Sequence, residues 1–253
     1  MPACGGTIPP VTLPPASVES APDAVAAWDH ATAPCRSVTS YSAEVHLSGR
    51  VGADRRKVRG TLNAALTSAN EIYLSLSVPI GPPGFVLSGP GDHATLVIPR
   101  DKRVLVAPAV DIVEALTGLR LEPRELMAVL TGCVVSAGQA TSGGQAGDLR
   151  DVAIGPARIW LQSGSDGWHS HAGTRPGLAI VYRAFTARWP SDVGLASASA
   201  APTAFEFQVR TQQVVIDSPQ ITAATFLPNP PAGATPMTLD ELRRMGPLGE
   251  KKH

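Results

Sequence analysis

Apolar and polar residues alternate along most of the chain from about residue 38 onward. Val45 and Leu47, for example, are flanked by polar residues, and the segment 72–78 repeats this period of two. Alternation of this kind is typical of antiparallel strands that have one apolar and one polar face. The same pattern, or a short apolar run, predicts further strands at 58–66, 85–88, 94–98, 104–107, 157–162, 167–171, 178–183, 204–211, 214–217 and 222–226.

A few segments have the spacing of short helices instead. Pro34 ends the first of them, because the residue before a proline is disfavoured in the helical conformation. Gly118 and Gly132 stop the two central helices, and Thr238 with Glu241 forms a capping box that opens the last one. Since strands dominate, the chain is expected to be mainly β. The helices are predicted at 21–33, 110–117, 122–131 and 238–245.

The chain divides into three parts. Residues 1–20 are a proline-rich tether, residues 21–237 form a single domain, and residues 238–253 hold the C-terminal helix and tail. Glycine, serine and alanine dominate the segment 136–147, which we expect to be a flexible loop.

Composition excludes several classes of protein. The chain has 253 residues, of which 43% are hydrophobic, enough for one sizeable core. Its 21 basic and 21 acidic residues give a net charge of zero. The sequence also lacks a stripe of basic residues interleaved with aromatic residues, which would indicate nucleic-acid binding. The sequence contains no continuous apolar run of about 18 residues, so it predicts no transmembrane helix.

The N-terminus carries a different signal. Ala3-Cys4-Gly5, followed by a proline-rich stretch, looks like the junction between a bacterial lipoprotein leader and its mature chain. The basic and apolar segments of a complete signal peptide do not precede Cys4, so we expect the start of the chain to lie upstream and Cys4 to be lipidated. The alternative is an incidental cysteine in a disordered N-terminus.

Cys35 and Cys133 remain as a pair if Cys4 is the lipid anchor. An even pair of cysteines in an exported protein suggests a disulfide bond. The alternative is two free thiols, since unpaired cysteine packs well in protein cores.

The sequence lacks the common catalytic and metal-binding motifs. His169 and His171 would share one face of a strand, but no cysteine or carboxylate at a characteristic spacing completes a metal site. Ser165 and Asp166 lie near these histidines without the arrangement that would support a hydrolase triad. We therefore expect no enzyme activity, no metal and no cofactor.

One apolar residue stands out in a loop between two predicted strands. Pro79-Ile80-Gly81 lies in a turn rich in proline and glycine, which leaves Ile80 without a local packing partner. A single exposed isoleucine is common. In a protein tethered to a membrane, however, it becomes a candidate for insertion into the bilayer or for contact with a lipid-modified cargo.

Residues 28–132 resemble the LolB-like receptors of the LolA/LolB-like lipoprotein-localisation family. The shared features begin with an N-terminal helix that carries Trp28, a strand that leaves the sheet through Leu47-Ser48-Gly49, and the loop Pro79-Ile80-Gly81. The later strands are similar only in pattern, and the C-terminal part looks more like the wider LolA-like superfamily. The signature of the two lid helices is present as Leu116-Thr117-Gly118, Pro123, Leu126 and Leu130-Thr131-Gly132.

The resemblance implies both a fold and a function. The fold would be a single curved antiparallel sheet that forms an incomplete β-barrel, with short helices as a lid over a hydrophobic cavity. The protein would bind lipid acyl chains or lipoproteins, with a periplasmic lipoprotein carrier as a partner, and deliver them to the outer membrane of the bacterial cell envelope. Cys4 would be its anchor, and Ile80 would take the place of a leucine that is important for delivery. The implied cavity and lid residues are Val45, Leu47, Leu74, Leu76, Leu87, Leu96, Val113, Leu116, Leu126, Met127 and Leu130.

Two departures from the family pattern leave other functions open. A bond between Cys35 and Cys133 would join the first helix to the end of the lid and restrict its opening, and the capped C-terminal helix is an addition. The alternative function is a structural or assembly lipoprotein that uses the same fold as a protein-interaction scaffold. An enzyme such as a hydrolase ranks last, because no nucleophile–base pair is apparent.

Overall fold

The computed structural model describes residues 8–17, 19–136, 138–140, 142–198, 201 and 203–245. Fifteen strands in this part of the chain form one sheet, and four α-helices accompany it. The helices are α1 (Ala24–Ser37), α2 (Ala109–Thr117), α3 (Pro123–Leu130) and α4 (Leu239–Met245). The strands are β1 (Glu19–Ser20), β2 (Ser40–Val51), β3 (Arg56–Thr67), β4 (Glu71–Ser77), β5 (Val86–Pro90), β6 (Ala94–Ile98), β7 (Arg103–Ala107), β8 (Ser142–Ala146), β9 (Leu149–Ile154), β10 (Ala157–Gly164), β11 (Gly167–Arg175), β12 (Leu178–Thr186), β13 (Trp189–Ser197), β14 (Phe205–Ile216) and β15 (Thr235–Pro236).

The sheet is curved but does not close into a barrel. Its strand order is β1-β8-β9-β10-β11-β12-β13-β14-β2-β3-β4-β5-β6-β7-β15, so the two edges are β1 and β15. The pairs are antiparallel except for β15, which runs parallel to β7. The predicted fold class, a single curved antiparallel sheet in the form of an incomplete barrel with short helices, is confirmed.

The two halves of the sheet meet where β14 pairs with β2. The first half is the meander β2–β7, and the second is the meander β8–β14. The ladder between them extends from Phe205 opposite Val51 to Ile216 opposite Tyr41. Residues from both ends of the chain therefore line one interior.

The helices cover that interior. α1 lies against β8–β11, whereas α3 contacts β3 and β4 on one side and β13 on the other. Because β14 and β2 lie between β13 and β3, α3 spans the concave side of the sheet. Apolar residues of the strands and of all four helices join in one hydrophobic cluster.

The sequence pattern does not predict β8, β9 and β13. β8 lies in the segment 136–147, which is predicted as a flexible loop, and it is held in the sheet by its ladder to β9. β13 contains Pro190 and Gly194, which are residue types that disfavour strands, yet it pairs with both β12 and β14. Backbone hydrogen bonds to neighbouring strands, rather than alternation of side chains, place these segments in the sheet.

Other boundaries also differ from prediction. The predicted strands 204–211 and 214–217 form the single strand β14, with an irregular register at Gln213, whose φ is 52°. The predicted strand 222–226 is a short 3-10 helix, Ala223–Phe226, beside β4 and β5. Helix α1 begins later than predicted and continues through Pro34. The bond of buried Cys35 to Cys133 and the hydrogen bond from the Ser37 hydroxyl to the Pro34 carbonyl hold this last turn, although the proline lacks a backbone donor.

Asp217 connects the end of β14 to the start of β2. Its Oδ1 accepts hydrogen bonds from the Thr39 hydroxyl at 2.7 Å, the Thr39 N–H at 2.8 Å and the Ser40 N–H at 3.0 Å. The bond from the Thr39 hydroxyl, followed by those from the backbone N–H groups, holds the pKa of Asp217 below its usual range. The ionised carboxylate therefore stabilises the junction between the two halves of the sheet.

We expect Asp217→Asn to lower the free energy of unfolding by at most about 1 kcal/mol at pH 7, because a neutral amide is a weaker acceptor and the site is exposed. The folded-state pKa is depressed, so the stabilisation is present above the unfolded-state pKa and is lost as the pH falls through the folded-state value. The difference between variant and wild type should therefore shrink below about pH 4. Urea unfolding at pH 7 and pH 3 measures it. Asp148→Asn, an exposed change in the β8–β9 turn, is the control, and an equal loss in both variants would contradict the prediction.

Candidate functional site

The candidate site is the concave interior of the sheet. Leu74, Leu87 and Leu96 lie directly opposite one another across β4, β5 and β6, and opposite residues in neighbouring strands share a face. The structure brings these side chains together with the other predicted strand residues in one hydrophobic cluster, and each is at most 8% exposed. Those other residues are Val45, Leu47 and Leu76.

Helices α2 and α3 cover this apolar surface. Gly118, whose φ is 77°, ends α2, and a reciprocal capping box between Glu122 and Glu125 begins α3. Arg175, at the end of β11, forms an ion pair with Glu125 at 2.8 Å and fastens the start of α3 to the sheet. The predicted lid residues contact the same cluster, with Leu126 half-buried and the others buried: Val113, Leu116, Met127 and Leu130.

A disulfide bond joins α1 to the segment that follows α3. Cys35 and Cys133 are 98 residues apart in sequence, and their Cα atoms lie 6.1 Å apart. The predicted pairing is confirmed. Because Cys133 comes shortly after the end of α3, the bond fixes that end of the lid to α1, whereas the connection between α2 and α3 is not held by it.

The C-terminal helix restrains the other lid helix. β15 pairs with β7 and leads the chain to α4, which packs against α2. Leu242 of α4 is fully buried in the main hydrophobic cluster, and Glu241 forms an ion pair with Arg103 at 2.9 Å. The capping box predicts this helix, but nothing in the sequence indicates that it covers the lid.

The side chains of the predicted cavity residues, apart from Leu126, are at most 8% exposed, so they pack closely against one another. Three pockets in the described part of the chain have volumes of about 280, 230 and 290 Å³, and none of the predicted cavity residues lines them. An acyl chain that enters the interior must therefore displace side chains or move the lid.

The predicted protruding loop connects β4 to β5. The side chain of Ile80 is 94% exposed, and Gly81 beside it has a φ of 103° with open space where a side chain would lie. Among the described residues, no helix has both the length and the apolar character needed to cross a bilayer.

Part of the predicted N-terminal tether lies against the sheet. Trp160 Nε1 donates a hydrogen bond to the carbonyl oxygen of Pro15 at 3.0 Å, and Arg183 Nη2 donates one to that of Pro9 at 2.7 Å. Residues 8–17 therefore follow the strands β10 and β12. Cys4 lies outside the described residues.

Asp151 and Arg158 form an ion pair that the sequence pattern does not indicate. Asp151 Oδ2 and Arg158 Nε are 2.7 Å apart, and the carboxylate side chain is almost completely buried. Removing one partner of a buried pair leaves the other uncompensated. Only the pairing of β9 with β10 brings the two residues together, so the pair has no sequence signature.

Ser165 and Asp166 lie in the turn between β10 and β11, and His169 and His171 lie on β11. The Ser165 hydroxyl donates a hydrogen bond to Asp166 at 3.2 Å, and the His169 ring meets the edge of Phe185 with centroids 4.8 Å apart. Burial lowers the pKa of His169 and His171, which keeps both rings neutral near pH 7. No group of three or more His, Cys, Asp or Glu residues that could hold a metal ion occurs in the part of the chain that the structure describes.

Comparisons with known proteins identify the fold. No protein-family model matches the sequence, and no curated protein is a significant match. A LolA superfamily protein from Nitrosomonas europaea aligns with a TM-score of 0.53 and 8% identity over 83% of this chain and 98% of that one. A DUF1329 family protein from Desulfovibrio piger aligns with a TM-score of 0.52 and 9% identity over 80% and 96%. These similarities show that the chain has a LolA/LolB-like fold.

Proposed function

We propose that this protein is a bacterial envelope lipoprotein that binds lipid acyl chains or lipoproteins between the concave face of its sheet and its lid. The observation that carries the proposal is the continuous apolar interior beneath α2 and α3, shared by residues of both halves of the sheet. Burying an acyl chain in such surroundings gains about 0.8 kcal/mol per CH₂ group. The protein acts by binding and transfer, not by catalysis.

The role within lipoprotein traffic is sorting or insertion at the outer membrane. The LolA-like fold, the LolB-like lid signature and the exposed Ile80 support this role. Cys4 would anchor the protein on the periplasmic side of that membrane, and a periplasmic lipoprotein carrier would deliver the cargo. Because the side chains beneath the lid are closely packed, loading requires displacement of the lid.

Photo-crosslinking tests where the ligand lies. We expect a benzophenone amino acid at Leu126, which is half-buried on the lid helix α3 and packs against the interior, to form adducts with lipid or lipoprotein when the protein is irradiated in its native membranes. The matched control is the same amino acid at Val106, an exposed position on β7. Adducts should be detected by mass spectrometry at position 126 and not at 106. Equal adducts at both positions, or none at 126, would refute binding under the lid.

The close packing of the interior side chains favours one other function. This is a structural or assembly lipoprotein whose fold serves as a protein-interaction scaffold. In that case the core residues stabilise the fold and take no ligand. Native mass spectrometry of protein extracted from membranes separates the two functions, because a binding protein should retain bound lipid or lipopeptide and a scaffold should not.

A further inference from the structure

A pocket opens at one end of the sheet, between α1, the end of α3 and two hairpin turns. Its volume is about 230 Å³, and its walls include His30 of α1 and Gly132 after α3. The turns are those between β10 and β11 and between β12 and β13. Since β4 runs towards the opposite end in the antiparallel order, the pocket lies at the other end of the half-barrel from the Ile80 loop.

The walls of the pocket are continuous with the hydrophobic interior. Trp168 and Phe185 line the pocket and also pack against the main hydrophobic cluster. The guanidinium group of Arg150 lies over the Trp168 ring, 5.6 Å from its centroid. The backbone N–H of Trp168 donates a hydrogen bond to His30 Nδ1 at 3.3 Å. These contacts hold Trp168 between the pocket and the hydrophobic cluster.

The turn packs closely against α1. Gly167 has a φ of 102°, and a side chain at this position would collide with the ring of His30. Glycine is thus required by both backbone conformation and close packing. The adjoining disulfide, Cys35–Cys133, holds α1 and the end of α3 together beside the pocket.

A buried hydroxyl without a partner lines the pocket. Ser170 is 2% exposed, and its Oγ has no hydrogen-bond partner among the described residues. Native proteins rarely leave such a group unsatisfied, because the loss of hydration is costly. The neighbouring His169 is neutral near pH 7, since burial lowers its pKa. Arg188 and Asp166 also line the pocket, and because their charges are opposite, the lining has no net positive charge that would favour an anionic ligand.

We infer that this pocket binds the glyceryl ester region of an acylated ligand, with the Ser170 hydroxyl donating a hydrogen bond to an ester carbonyl. The acyl chain would pass between Trp168 and Phe185 into the interior under α3. A neutral carbonyl matches an orphaned donor, apolar aromatic walls match the first methylene groups, and the exposed rim accommodates glycerol hydroxyls. The inference rests on the acyl-binding function proposed above and adds the ester as the group recognised.

Two ligands with the same chain length separate recognition of the ester from recognition of the chain. We expect 1-monopalmitoylglycerol, which has an ester carbonyl, to bind wild-type protein more tightly than 1-O-hexadecylglycerol, which has an ether oxygen in its place. Ser170→Ala should weaken binding of the ester by about two- to tenfold, the value of one hydrogen bond, and leave binding of the ether unchanged. Calorimetric titration of the full chain, delipidated in detergent, measures both affinities.

A matched variant and a third outcome complete the test. Ser88→Ala removes an equally buried hydroxyl from β5, in the other half of the sheet, and should change neither affinity. If Ser170→Ala has the same effect on both ligands, or none on either, the ester site is refuted while acyl binding stands. If the wild-type protein binds neither ligand, acyl binding itself is refuted, and the ester site with it.

Discussion

Replacing Cys35 and Cys133 together with alanine is expected to lower the free energy of unfolding by about 4–5 kcal/mol. The disulfide joins residues 98 positions apart, and the chain-entropy model gives a loop of this length about that stabilisation, because the bond restricts the unfolded chain. For a chain of this size the melting temperature should fall by roughly 8–10 °C. Guanidinium unfolding of the oxidised protein, the reduced protein and the double variant measures the effect.

The control for this experiment is Cys4→Ser, which removes a thiol outside the bond and should leave the unfolding midpoint unchanged. Thiol titration of the unfolded, unreduced protein gives a separate check, since Cys35 and Cys133 should not react. Three reactive thiols, or a double variant that unfolds at the wild-type denaturant concentration, would contradict the prediction.

Ile80→Glu should reduce membrane association at least tenfold without changing stability. The side chain is 94% exposed, so the fold does not depend on it. Its transfer into a bilayer would gain about 1.5–3 kcal/mol, which corresponds to roughly ten- to a hundredfold in affinity. Flotation with liposomes of protein carrying Cys4→Ser measures association in the absence of a lipid anchor.

The matched control is Leu227→Glu, which places the same charge at another exposed apolar residue, 69% exposed, outside the protruding loop. It should float like the parent protein, and Ile80→Leu should as well. If the two glutamate variants lose the same amount of binding, the loop has no special part in membrane contact.

The disulfide and the loop act on different steps of the proposed function. The bond holds one end of α3 against α1, and α4 packs on α2, so each lid helix is attached to a part of the protein outside the lid. The Ile80 loop lies at one end of the half-barrel and the ester pocket at the other. Uptake of a ligand at one end and contact with a membrane at the other would fit transfer of the ligand through the interior.

Local signals predicted the lid helices with good accuracy. The predicted ends of α2 and α3 lie within about one residue of the observed ends. Glycine in a left-handed conformation ends a helix and proline in the first turn begins one, and both signals involve neighbouring residues only. The alternation in β2–β7 likewise follows from a local requirement, that one face of each strand is buried. Strands β8 and β13 lack alternation, and so the sequence pattern does not show them.

By itself, the sequence determined the mainly antiparallel architecture, the lid, the exposed loop and which apolar residues are turned inward. Only the tertiary structure decided how these parts meet: the pairing of β14 with β2, the burial of α4 on the lid, and the unpartnered Ser170 beside Trp168. The physical reason is that burial and hydrogen-bond satisfaction depend on contacts between residues far apart in the chain. Periodicity and capping report only on neighbours.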